Sequence, residues 1–243
     1  MPDPNAAERE RELDREALRL HRFYRGKMET VPKCRVRDLQ DFALWYTPGV
    51  AAPCRAIQAE PDLVYDYTNK ANTVAVVSDG TRVLGLGDIG PAAGLPVMEG
   101  KALLYKYLGG VDAVPIVLDT RDPEELIRTV LLLAPSFGGI NLEDIAQPKC
   151  FRILERLRAE APIPVWHDDQ QGTATVTLAG LLNALKVTGR SIGEARIVFV
   201  GSGAANVACA RLSFGRGAEP ARCLIVDSKG ILHKGRTDID PKV

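Results

Sequence analysis

Apolar positions at the start of the chain keep a helical rhythm. Over residues 6–24, Leu13, Ala17, Leu20 and Tyr24 recur every three or four positions amid charge, which predicts an amphipathic helix in need of a partner surface, for packing or for dimerisation. Residues 31–45 mix Pro32 with basic side chains and lead into Tyr46-Thr47-Pro48-Gly49. Proline bars Thr47 from the α region and glycine permits an unusual turn, so a rigid loop is expected after Tyr46. Two apolar runs, 73–77 and 82–86, flank Ser78-Asp79-Gly80-Thr81, and Asp-Gly between such runs predicts a β-hairpin.

From residue 100 the pattern alternates. A helix is expected across 100–108, a strand over 111–119, a helix over 123–133, a short strand over 137–141, a helix after Asn141 and a strand over 162–166. Such alternation predicts α/β architecture, with a mostly parallel sheet flanked by helices. A longer Ala- and Leu-rich helix over 173–186 ends near Gly189, a residue suited to terminate it, which puts a domain boundary near 188. A fresh strand then spans 196–200, followed by a Gly-rich turn, a helix to about Gly215, a strand at 223–226 and a polar tail.

Composition narrows the partners. The 243 residues carry 31 Lys+Arg against 31 Asp+Glu without a Lys/Arg-rich run, so nothing supplies the long-range attraction that a nucleic acid calls for. Five cysteines without a CxxC pair indicate neither a zinc ribbon nor a disulfide framework, and read as reduced cytoplasmic thiols. The N-terminus is charged, and no stretch approaches the roughly 18 apolar residues of a membrane span, so no membrane partner is expected.

The turn Gly201-Ser202-Gly203-Ala204-Ala205-Asn206 follows a predicted strand and opens a predicted helix, and Asp227 ends the next strand, the arrangement of a Rossmann-type dinucleotide-binding unit. Gly201 and Gly203 let backbone N–H groups approach a pyrophosphate at the helix N-terminus, and Asp227 is placed to accept hydrogen bonds from a ribose diol. Asn206 stands at the third glycine position, which predicts looser helix-to-strand packing; a tight turn without a nucleotide is the alternative. Ser228 and Lys229 leave NAD versus NADP open.

Two acidic pairs stand out, Glu143-Asp144 and Asp168-Asp169. Each alone has a structural explanation, since acids favour the first turn of a helix and often begin turns after strands. Together, at the carboxyl ends of strands in a parallel sheet, they suit a hard divalent cation such as Mg²⁺ or Mn²⁺. His167 reads as an orienting or packing residue rather than a ligand. Lys101, at an expected helix start after a Pro/Gly-rich loop, is either a general base with a lowered pKa or a solvated surface lysine. Tyr46 is a proton donor or a core tyrosine, and Arg82 a carboxylate clamp or an exposed hairpin residue.

The segments ALRLHRFYRGK, YTPGVAAPC, VAVVSDGTRVLGLGDIGP, LPVMEGKALLYK, FGGINLEDIA, VWHDDQQGTA, GSGAAN and VDSKG span nearly the entire chain, and in them the sequence resembles the malic enzymes, NAD(P)-dependent oxidative decarboxylases of malate, in their compact prokaryotic form. The resemblance implies Tyr46 as general acid, Lys101 as general base, Arg82 as ligand of the malate C1 carboxylate and Asp168 as the residue that positions Lys101. It implies Glu143, Asp144 and Asp169 as ligands of Mg²⁺ or Mn²⁺, and Gly201, Gly203, Ala204, Ala205, Asn206 and Asp227 as the NAD or NADP site. Malate and pyruvate become the small-molecule partners, and a cytoplasmic homodimer is expected.

The implied segments are residues 1–30, an N-terminal helical segment; 31–188, the substrate and catalytic domain; and 189–243, a nucleotide-binding domain cut short. Departures from the family pattern are Asn206, Gln171 where a histidine is frequent, and the early end of the chain. The chain alone is therefore expected to turn over malate poorly, with residues from about Ser191 onward mobile or prone to association. A non-catalytic remnant acting as an oligomerisation or interaction partner, and a malolactic-type decarboxylase, are the alternatives.

Overall fold

The computed structural model describes residues 6–240; positions 1–5 and 241–243, which the expected terminal segments include, lie outside the described residues. The chain starts with α1 (Ala6–Tyr24), α2 (Leu39–Trp45), α3 (Ala51–Ala59) and the single turn α4 (Val64–Tyr67). α1 follows the predicted helix, yet it buries none of its residues, and Leu13, Leu18, Phe23 and Tyr24 stand exposed. No described residue covers its apolar stripe. α2 is too short for a periodic signal and is set instead by Asp38, whose carboxylate accepts the backbone N–H groups of Gln40 and Asp41.

The alternating part holds β1 (Thr73–Ser78), α5 (Pro91–Gly109), β2 (Asp112–Val117), α6 (Pro123–Leu133), β3 (Gly139–Leu142), α7 (Lys149–Glu160) and β4 (Val165–His167). The strands form one parallel sheet in the order β2-β1-β3-β4. Alternate residues of β1 feed opposite layers. Ala75 and Val77 join Leu126, Ile127, Phe151 and Leu157 of α6 and α7, whereas Val76 packs with Met98 and Ala102 of α5. A strand covered on both faces reads as the continuous apolar run TVAVV seen in the sequence.

The hairpin expected across Asp79-Gly80 does not form. Both edges of β1 are taken by parallel neighbours, and residues 82–86 have no edge left to pair with; an isolated antiparallel bridge joins Val83 to Gly87 instead. Gly80 adopts φ +68° in a turn where a β-carbon would collide with the Gly90 carbonyl. The Asp79 carboxylate accepts both the N–H and the hydroxyl of Thr81, so the Asp-Gly signal marks a crossing of the sheet's end rather than a hairpin. The Pro/Gly-rich segment before Lys101 also differs from expectation. It forms the first half of α5, with Pro91 at the helix start, where its missing N–H costs nothing, and Gly94 buried against Val83.

β4 runs into a π-helical turn, Asp168–Gly172, which continues as α8 (Thr173–Val187). β5 (Ile197–Val200), α9 (Ala204–Gly215), β6 (Cys223–Asp227) and the two-residue β7 (Gly230–Ile231) then form a second sheet, β5-β6-β7, in which β5 and β6 are parallel and β7 is antiparallel. Phe199, Ala174, Cys209 and Ala210 make its core, and Val207 of α9 reaches the core of the first sheet. The opposite face, with Val198, Val200 and Leu224, is exposed. Among the described residues no helix is long and apolar enough to cross a membrane.

Candidate active site

β3 and β4 pair in register with Leu142 opposite His167, so the residues that follow each strand emerge side by side at the carboxyl end of the sheet. Glu143 and Asp144 follow β3, and Asp169 lies in the π-helical turn after β4. One carboxylate oxygen from each of the three lies within 4.8 Å of the others. The first acidic pair is not a helix-start signal, because α7 begins only at Lys149 and Asp144 has φ 55°. Glu143 and Asp144 are 5% and 4% exposed. Burial pushes Glu143 up to about 7, with the Asp169 charge adding and Lys101 and the Asn141 hydrogen bond opposing. Burial, then Asp169, pushes Asp144 up to about 6.

Asp169 is tied to this group by accepting the Asp144 backbone N–H at 2.9 Å, and Asp144 Oδ2 is buried without a hydrogen-bond partner. Two buried carboxylates, one with an orphaned oxygen, beside a half-buried third fit a hard divalent cation, which neutralises them and satisfies that oxygen. The donor set is all oxygen, as Mg²⁺ and Mn²⁺ prefer.

Lys101 enters the same cluster from α5. Its Nζ lies 2.7 Å from Asp168 Oδ2 and 3.1 Å from Glu143 Oε1. Burial acts to lower its pKa, but the Asp168 hydrogen bond and the Glu143 charge outweigh burial and hold the ammonium well above its ordinary value. The lowered pKa expected of a base is thus absent while both carboxylates are uncompensated. Arg82 is exposed and donates its backbone N–H to the Asp144 carbonyl at 3.0 Å, with its guanidinium charge acting to hold Asp144 down. His167 is fully buried, burial holds its pKa down, and its Nδ1 lies 3.8 Å from Asp169 Oδ2. Tyr46 is 71% exposed, and its hydroxyl makes no hydrogen bond among the described residues.

Two further groups escaped the sequence reading. Tyr105, one helical turn beyond Lys101, donates to Asn141 Oδ1 at 2.9 Å, and Asn141 Nδ2 donates to Glu143 Oε2 at 2.8 Å. Lys149 pairs with the buried Asp79 at 2.6 Å, and Thr81, held by Asp79, accepts the Ala146 N–H at 3.0 Å, bracing the loop behind Asp144. The signal that was available lay in spacing: Lys101 and Tyr105 share a helix face, and Asn141 and Glu143 share a strand side.

At the second sheet, Gly201 turns with φ +107° after β5, and Gly203, Ala204 and Ala205 lead into α9. Asn206 ties the turn rather than loosening it, its Nδ2 donating to the Val200 carbonyl at 2.7 Å and the Gly201 carbonyl at 3.2 Å. Asp227, at the end of β6, accepts two bonds of 2.9 Å from Arg236 and the Lys229 N–H at 2.8 Å, and the Arg236 hydrogen bonds hold its pKa below the usual carboxylate range.

Comparison with known proteins agrees in both parts of the chain. The family described as "Malic enzyme, N-terminal domain" matches residues 25–158, and "Malic enzyme, NAD binding domain" matches residues 170–243. The chain is 54% identical over 224 residues to the bifunctional malic/malolactic enzyme of Bacillus subtilis, covering 92% of this chain and 54% of that protein. It is 53% identical over 216 residues to the NAD-dependent malic enzyme of Geobacillus stearothermophilus, covering 89% and 45%. The crystal structure of Entamoeba histolytica malic enzyme superposes with a TM-score of 0.89 at 51% identity, covering 93% of this chain and 48% of that one. The NAD-dependent malic enzyme of Thermotoga maritima superposes with a TM-score of 0.86 at 51% identity, covering 90% and 58%. The chain spans about half the length of these relatives.

Proposed function

The chain belongs to the malic enzyme family, and on that premise we propose that it serves the oxidative decarboxylation of malate to pyruvate and CO₂, with NAD or NADP as hydride acceptor. The observation that carries the reading is the placement of Lys101 between Asp168 and Glu143, in one cluster with Asp144 and Asp169. Glu143, Asp144 and Asp169 would hold Mg²⁺ or Mn²⁺; Gly201, Gly203, Ala204, Ala205, Asn206 and Asp227 would hold the dinucleotide. When bound, the cation supplies Lewis-acid polarisation of the malate C2 oxygen and the dinucleotide supplies hydride acceptance.

The chain's own residues do the rest. Arg82 pairs with the C1 carboxylate, for which an exposed guanidinium beside the cluster is suited. Asp168 orients the Lys101 Nζ, and Lys101 takes the C2 hydroxyl proton once the charges around it are compensated. Tyr46 protonates C3 of enolpyruvate. Asp227 has to exchange Arg236 for the ribose diol. The proposal includes a substrate domain over 31–188, a nucleotide domain from 189, a homodimer that covers the exposed stripe of α1, and a cytoplasmic location.

Mn²⁺ titration of the full chain and of Asp169→Ala tests the reading. The variant should bind at least tenfold more weakly, since it loses one of three carboxylates from a hard-cation site. Equal affinity in two folded proteins defeats the site. A malolactic reaction is favoured as a second reading by the name of the 54% identical relative, and lactate rather than pyruvate as product distinguishes it.

A further inference from the structure

Asn141 is 1% exposed and sits on β3 opposite Val76 of β1, in the middle of the sheet. Both ends of its amide are committed. The Tyr105 phenol donates to Oδ1 at 2.9 Å, and Nδ2 donates to Glu143 Oε2 at 2.8 Å with a longer bond of 3.4 Å to the Leu142 carbonyl. Tyr105 itself packs against the cluster of Val76, Met98, Ala102 and Ala113, so the relay is held by both the helix and the sheet. The other oxygen of Glu143, Oε1, faces Lys101 at 3.1 Å.

We infer that Asn141, oriented by Tyr105, confines Glu143 to a single donor oxygen and thereby sets the site's preference for Mg²⁺ and Mn²⁺ over Ca²⁺. The inference rests on the reading of Glu143 as a metal ligand. Ca²⁺ takes about 6–8 oxygens and gains from bidentate carboxylates, whereas Mg²⁺ demands near-octahedral geometry with few carboxylate oxygens. Turning Oε2 towards an ion breaks the short bond of a buried amide and leaves it only the longer one to Leu142, so bidentate binding is penalised and the larger ion loses most. Asn141 and Tyr105 are positioning residues; neither touches the ion.

The test measures Mn²⁺ and Ca²⁺ affinities by calorimetry on the full chain, comparing the parent with Tyr105→Phe, Asn141→Ala and Glu143→Gln. Asn141→Ala should weaken Mn²⁺ about tenfold, the lower range for loss of an outer-shell partner, and leave Ca²⁺ unchanged or tighter. Tyr105→Phe should shift the ratio in the same direction by less, and because it removes one hydroxyl it decides the question if Asn141→Ala does not fold. Parallel weakening of both ions, or an unchanged ratio, overturns the selectivity role while Glu143→Gln still loses binding. A parent that binds no Mn²⁺, or a Glu143→Gln variant that binds like the parent, overturns the metal site and this inference together.

Discussion

Residues 73–187 and residues 6–67 answer to different physics. In the first region β1 is covered on both faces and supplies Ala75, Val76 and Val77 to two cores. In the second, Asp41 is the only buried residue, while Leu13, Leu18, Phe23, Leu39, Phe42, Trp45 and Tyr46 face outward. Glu143, Asp144, Asp168 and Asp169 inherit their positions from the ends of packed strands, which is the rigid support a catalytic cluster needs. Tyr46 has no such support among the described residues. A surface that meets the exposed arm would supply it, and the proposed homodimer offers one.

The largest effect should separate the regions by stability. Phe151 is 1% exposed in the main core and Leu18 is 74% exposed on α1. Phe151→Ala should cost about 3–5 kcal/mol in urea unfolding of the full chain, the range for a large buried aromatic. Leu18→Ala should stay within about 0.5 kcal/mol at concentrations where the chain is monomeric. Comparable losses would mean that the arm is packed in solution.

A second effect, of intermediate size, belongs to the cluster alone. Glu143 and Asp144 stand at about 7 and about 6 when folded, against roughly 4 for carboxyls in an unfolded chain. Between those values the folded protein binds more protons, so the contribution of these two groups to stability is fully present below about pH 4 and is lost as pH rises through 6 and 7. The metal-free chain should therefore melt at higher temperature at pH 5.5 than at pH 8 relative to Glu143→Gln, which lacks the main titration. Added Mn²⁺ should reverse the trend, since it binds the deprotonated cluster. Parent and Glu143→Gln melting in parallel across this range would show that burial of Glu143 carries no such penalty.

The same contrast explains what the sequence disclosed. The alternation from 111 to 187 was legible because parallel strands and their helices differ in period, and the acidic pairs were legible because strand ends in such sheets gather at one edge. The Asp79-Gly80 turn misled because a local hairpin rule cannot know that β2 and β3 occupy both edges of β1. Pro91, Gly94 and Pro96 disguised half of α5, since Pro and Gly residues read locally as a loop although all three lie within the helix. The Tyr105–Asn141–Glu143 relay was out of reach, because it depends on which helix face meets which strand side. Likewise the Asp227–Arg236 pair joins β6 to a tail that shows no periodicity.

The smallest effect is predicted for Tyr46→Phe. Its hydroxyl has no hydrogen-bond partner among the described residues and the residue is 71% exposed, so removing one oxygen strands no buried group and opens no cavity. Unfolding should shift by less than about 0.5 kcal/mol, and Mn²⁺ affinity should match the parent, because the phenol is not among the carboxylates that converge on the cluster. The proposed role leaves it a single place to matter, the protonation of enolpyruvate, followed through exchange of the pyruvate methyl protons with solvent deuterium. A shift in the unfolding midpoint would show Tyr46 packed against something, and a loss of Mn²⁺ affinity would tie it to the metal. Either result would erase the line drawn between the arm and the sheet, since an arm that stabilises the fold or the cation is no longer waiting for a partner to place it.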